Sequence, residues 1–135
     1  MIELPFLKRR SKRLGHILKP IIPVSIIGPK RGVKVFMLLD SGADISMIPY
    51  SVGETIGLEI DMSTRSEVEG IGEGSVPYVL GQVRFQIENL EIPARIGWAL
   101  VEEVPFILGR LDVFKTLVIE FREFEDKILL KQPEE

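Results

Sequence analysis

At 135 residues, 45% hydrophobic and 27% charged, the chain is about one domain long and can bury a core without covalent help. With no cysteine and one histidine, His16, it excludes disulfide frameworks, cysteine nucleophiles, thiolate or histidine-rich metal sites and most Ser–His arrangements, leaving carboxylates, hydroxyls, amines and backbone groups to carry any chemistry. The net charge of −3 is unevenly spread: residues 1–34 hold nine Lys/Arg and one acid (+8), residues 35–135 eight Lys/Arg and 19 acids (−11).

The basic charge gathers in Lys8-Arg9-Arg10-Ser11-Lys12-Arg13. Residues 1–19 are therefore expected to be a basic N-terminal extension, followed by a domain over 20–131 and an acidic tail at 132–135. Cations stand where a signal peptide would be apolar, and no apolar run nears the ~20 residues of a membrane span. The expectation is a cytoplasmic protein with no membrane partner. The basic segment reads as a solvated arm, or one docked on the acidic body of its own dimer. It lacks interleaved aromatics for base stacking, so nucleic acid is not the expected partner.

Ile21–Ile27 reads as a strand, with Pro20 and Pro23 marking a start or an edge. Gly28-Pro29-Lys30-Arg31-Gly32 is a turn. Residues 33–39 form a second strand, so continuously apolar that burial on both faces is expected. A polar loop, Asp40-Ser41-Gly42-Ala43, follows abruptly. Residues 49–56 suggest a short helical turn closed by Gly57. Residues 65–69 and 76–87 flank the glycine-rich tip Gly70-Ile71-Gly72-Glu73-Gly74. Val79, Gly81, Val83, Phe85 and Ile87 alternate with Leu80, Gln82, Arg84 and Gln86, which is strand periodicity, so the tip ends a hairpin. Residues 92–100 and 104–108 read as two further strands and 111–115 as a short helix. Residues 117–121 and 128–131 make a last pair across 122–127. Short strands at regular spacing imply an all-β sandwich or barrel. Trp98 is expected to be a partly buried packing residue and His16 a surface one.

Three motifs stand in order: Asp40-Ser41-Gly42-Ala43-Asp44 after an apolar strand, the tip Gly70-Ile71-Gly72, and Phe106-Ile107-Leu108-Gly109-Arg110. Together they resemble the retropepsin-type aspartic proteases, the single-domain family that includes retroviral proteases, over about residues 20–131. The resemblance implies a closed or partly open all-β barrel with a glycine-rich flap hairpin and one short helix in the C-terminal part. It implies a hydrolase that needs no cofactor and no metal. Two carboxylates share one proton there; one acts as base on water and the other donates to the scissile carbonyl. The sequence has a single Asp-Ser-Gly, so the resemblance implies a homodimer with one Asp40 from each chain on a two-fold axis.

By the same resemblance, Ser41 bonds across the dimer axis, in place of the commoner Thr, and Gly42 lets the substrate backbone approach. Ala43 offers the ionised carboxylate no hydroxyl, so the expected optimum is mildly acid. Asp44 and Arg110 pair beside the cleft, Gly109 and Arg110 support the loop, and Gly70, Ile71 and Gly72 close as the flap over a peptide or protein substrate. Ile45, Ile71, Val76 and Ile107 are expected to line apolar side-chain pockets for an extended peptide. Glu69 and Glu73 depart from the glycines common at these flap positions, which puts flap-to-flap contact in doubt. Residues 117–121 and 128–130 are expected in the dimer sheet. Two other classes remain on the sequence alone: a catalytically silent peptide-binding module of the same fold, and a small β-barrel nucleic-acid binder using residues 8–13.

Overall fold

Apolar alternation and turn residues divide the chain into short strands. The structure is a computed structural model and describes residues 1–69 and 74–133. In chain order the elements are β1 (Ile2–Leu4), β2 (Leu7–Ser11), β3 (Gly15–Lys19), β4 (Ile21–Ile27), β5 (Gly32–Leu39), β6 (Ser46–Ile48), α1 (Tyr50–Ile56), β7 (Ser66–Glu69), β8 (Ser75–Ile87), β9 (Leu90–Ala99), β10 (Ile107–Leu108), β11 (Val118–Arg122) and β12 (Lys127–Lys131).

Six strands close into a barrel in the order β4-β5-β10-β6-β9-β8, the ring completed by pairing of β8 with β4. Strand β7 adds to the first part of β8 as an antiparallel hairpin. One side of each long strand faces inward. Ile22, Val24 and Ile26 of β4, Val79, Val83, Phe85 and Ile87 of β8, and Ile92, Ala94, Ile96 and Trp98 of β9 fill the interior. Full burial of each such side chain is worth about 1.5–3 kcal/mol. The all-β barrel is the fold class that the sequence implied.

Four local expectations need correcting. Strand β5 is not buried on both faces: Met37 and Leu39 are buried, but Phe36 is 61% exposed. Among the described residues no second layer covers the outside of this part of the barrel, so Phe36 stays wet. The strand expected at 104–108 shrinks to Ile107–Leu108. Pro105 lacks the N–H that a longer ladder needs. Residues 111–115 form successive turns rather than a helix. Phe114 N–H reaches Arg110 carbonyl and Leu117 N–H reaches Val113, but Asp112 has φ +63°, which a right-handed helix does not admit. The α-helix is instead α1, at 50–56, ending at Gly57 as the sequence suggested. Trp98 is buried outright at 1% exposure. Its ring stacks on Tyr50 with centroids 5.6 Å apart and its indole N–H donates to the Tyr50 carbonyl at 2.9 Å. Gly53 of α1 makes this possible, because a Cβ there would lie 2.1 Å from the indole.

Outside the barrel, β1, β12 and β11 form a three-stranded antiparallel sheet in that order. Ile2, Leu4 and Phe6 pack into the main core, and Phe6 meets Phe121 edge-on at 5.8 Å. The first residues of the chain are thus woven into the body. The basic residues lie beyond them, on the hairpin β2–β3, which is a two-stranded sheet of its own. Among the described residues no helix is long and apolar enough to cross a membrane.

Candidate active site

The polar loop 40–45 lies where three strands meet. Strand β5 delivers Asp40 at its C-terminal end, and β6 leads away from Ile45. Strand β10, from more than 60 residues further along, inserts between them, parallel to β5 (Ile107↔Leu38, Leu108↔Leu39) and antiparallel to β6 (Ile107↔Met47). The loop therefore arches over the end of β10 and is fastened from beneath.

The fastening is a set of hydrogen bonds. Asp40 N–H donates to the Leu108 carbonyl at 3.0 Å, Arg110 N–H to Ala43 at 2.9 Å and Leu111 N–H to Asp44 at 2.9 Å. Inside the loop, Ala43 N–H donates to the Asp40 carbonyl, and Gly42 N–H donates to Asp40 Oδ1 at 2.9 Å. That last bond gives the Asp40 carboxylate a backbone donor and fixes its direction. Asp40 is half-buried, while Ser41 and Gly42 stand exposed at the crest. Gly109 is required by close approach: a Cβ there would lie 2.5 Å from the Ile45 carbonyl carbon and oxygen and 2.9 Å from the Ala43 oxygen.

One supporting residue escaped the sequence reading. Ser46 is the one buried polar side chain among the described residues. Its Oγ accepts from Gly109 N–H at 3.0 Å, tying the start of β6 to the end of β10 beneath Asp40. The signal available was a lone hydroxyl inside the apolar run Ile45-Ser46-Met47-Ile48. Asp44 and Arg110 do form an ion pair, but at 87% and 55% side-chain exposure it is a surface pair, of little energetic weight. Ile45, Val76 and Ile107 are each partly exposed. The hairpin expected to carry the flap is paired through β7 and β8 up to Glu69 opposite Ser75. Gly70, Ile71 and Gly72, expected at its tip, lie outside the described residues, as does Glu73.

The other four aspartates are engaged elsewhere. Asp44 meets Arg110. Asp61 accepts from Ser63 N–H and Oγ at the start of a 3₁₀ turn, which lowers its pKa. Asp126 accepts from Phe6 N–H at 3.2 Å. Asp112 accepts from Arg95 side-chain nitrogens at 2.9 Å through both oxygens, and these bonds hold its carboxyl down at about 2. No group of three or more His, Asp or Glu is placed to hold a metal among the described residues. The loop thus presents one oriented carboxylate per chain, with exposed small residues beside it.

A family model described as Aspartyl protease matches residues 22–110, which span β4 to the end of the Gly109-Arg110 motif. No curated protein matches the chain. Among solved structures the chain is similar to the EIAV protease complexed with the inhibitor HBY-793, at 24% identity and a TM-score of 0.49, over 68% of this chain and 82% of that one.

Proposed function

The chain belongs to the aspartyl protease family and is an aspartic-type endopeptidase; from that premise we propose that it works as a homodimer, with Asp40 of each chain facing the other across a two-fold axis. One observation carries the proposal. The Asp40 loop is firmly fastened, and of its two aspartates only Asp40 is without a side-chain partner among the described residues, while Asp44 and the chain's three other aspartates are each bonded elsewhere. Water-activating chemistry of this class needs two carboxylates and one proton, so the second comes from a second copy.

In this reading one Asp40 takes a proton from water as the oxygen attacks the scissile carbonyl, and the other gives its proton to the carbonyl oxygen. The tetrahedral intermediate collapses when the Asp40 that took the water proton passes it to the leaving nitrogen, the other Asp40 takes back a proton from a hydroxyl of the intermediate, and the C–N bond breaks. Neither step forms a covalent bond to the enzyme. Ser41, at the crest, bonds across the axis, and Gly42 leaves room for the substrate backbone. The substrate is an extended peptide with apolar residues at the cut, added as a strand between flap and loop, its side chains against Ile45, Ile71, Val76 and Ile107. Ala43 adds no hydroxyl beside Asp40, and an optimum in mildly acid solution goes with this reading.

The dimer contact is assigned to β11. The chain's ends pair with each other, β1 with β12, so they do not need a partner's ends. Strand β11 lies at the sheet's edge, and Val118 and Phe121 are 38% and 46% exposed there. An open apolar edge is a template for pairing with a second chain. The proposal is tested by cleavage of an unfolded protein between about pH 3 and 8, read by mass spectrometry, with wild type and Asp40→Asn side by side. Cuts at apolar sites in the wild type alone are expected. A folded wild-type dimer that cuts nothing would instead favour a silent peptide-binding module.

A further inference from the structure

The hairpin β2–β3 is the one strand pair that joins neither the barrel nor the β1-β12-β11 sheet. Residues 7–19 hold six cations (Lys8, Arg9, Arg10, Lys12, Arg13 and Lys19) and no acid. All six are exposed, and among the described residues none takes part in an ion pair. Such a concentration of like charge repels itself and attracts an external counter-charge.

The root of the hairpin lies beside the catalytic loop. Lys19 leads into Pro20, whose carbonyl accepts from Leu39 N–H at 2.9 Å, and Leu39 precedes Asp40. Ile21, the next residue, pairs with Leu38. Each strand has five residues, so the tip stands on the order of 17 Å from this root. That reach equals about five residues of extended peptide. Both outer edges of the two-stranded ribbon are unpaired, which suits the addition of another extended strand.

Resting on the endopeptidase reading above, we propose that this hairpin is a substrate-recruiting exosite for an acidic, extended stretch of the protein substrate, lying outside the bonds that occupy the cleft. Three observations select a polypeptide. The hairpin is rooted one residue from the catalytic strand's end, its open edges match a β-strand ligand, and residues 7–19 contain no Phe, Tyr or Trp for stacking on bases. Glu and Asp side chains at alternate positions of such a strand face the cations along the ribbon.

Two fluorogenic peptides with the same apolar cut sequence test the proposal, one flanked by a Glu-rich stretch and one by a Ser/Gly stretch. In low salt the acidic peptide is expected to be cut at least about tenfold more efficiently, through KM, with the advantage fading as salt rises. The variant Arg9→Gln/Arg10→Gln/Lys12→Gln/Arg13→Gln should lose that advantage and cut the neutral peptide at the wild-type rate, which also certifies its folding. Equal cutting of both peptides by the wild type would overturn the exosite and leave the endopeptidase standing. In parallel, the Asp40→Asn chain is titrated with labelled Glu-rich peptide, random duplex DNA and anionic vesicles. Tight peptide binding that the four-Gln change abolishes supports the exosite even if no peptide is cut, whereas tighter binding to DNA or vesicles, or peptide binding that survives the change, overturns it.

Discussion

Asp40 depends on residues that never touch a substrate. Ser46 and Gly109 set the height of the loop from below, one by a buried hydrogen bond, the other by the absence of a Cβ. Ser46→Ala would leave Gly109 N–H buried and unpaired, at a cost of about 1–3 kcal/mol. Denaturant titration should show that loss, and activity should fall further than stability as Asp40 drifts. Asp112 offers a pH test. Its folded carboxyl titrates near 2 because Arg95 donates to it, against about 3.9 when unfolded. A depressed acid stabilises above the unfolded value and loses that contribution as pH falls through the folded one. Asp112→Asn, which keeps the left-handed backbone accessible, should therefore lower stability by about 1 kcal/mol at pH 7, allowing for the half-exposed Arg95. The two melting curves should converge near pH 2. A constant gap at both pH values would count against the ion pair. At this scale the sequence was informative about Asp40, Gly42 and Gly109, because unusual residue types stand there in a fixed order. It was silent on Ser46 and Asp112, whose roles come from partners 63 and 17 residues away.

Elements were legible where periodicity was long. The β8–β9 hairpin alternates cleanly over most of its length, and its inward positions are the buried ones. The β4–β5 hairpin was marked by its turn. Legibility failed where an element's fate depends on what covers it. Strand β5 reads as doubly buried because apolar residues are continuous, yet Phe36 is left exposed by the described residues. Residues 111–115 carry helix formers, but Asp112 is drawn to Arg95 and turns the backbone left-handed. The pairing of β1 with β12 joins residues more than 120 apart, beyond any local pattern. The open edge of β11 yields its own prediction. Val118→Asp puts a charge on the proposed contact, so the concentration for half-maximal specific activity should rise at least about tenfold, roughly 1.4 kcal/mol. Sedimentation and activity measured over the same dilution series should shift together. An unchanged profile would move the contact away from β11.

As a whole, the molecule is an acidic barrel with a fastened carboxylate loop and a basic hairpin rooted beside it. The sequence carried the fold class and the single Asp-Ser-Gly, and in the structure the other four aspartates are bonded away from Asp40. The account therefore stands on a site shared between two copies. The most direct test holds wild type at a fixed concentration above the dimer midpoint and titrates in Asp40→Asn chain while following cleavage. If each site needs one Asp40 from each copy, random pairing halves the activity at about equal amounts and leaves about a tenth at ninefold excess. Activity that stays level while mixed dimers form would show that each chain carries a complete site, and would contradict the account.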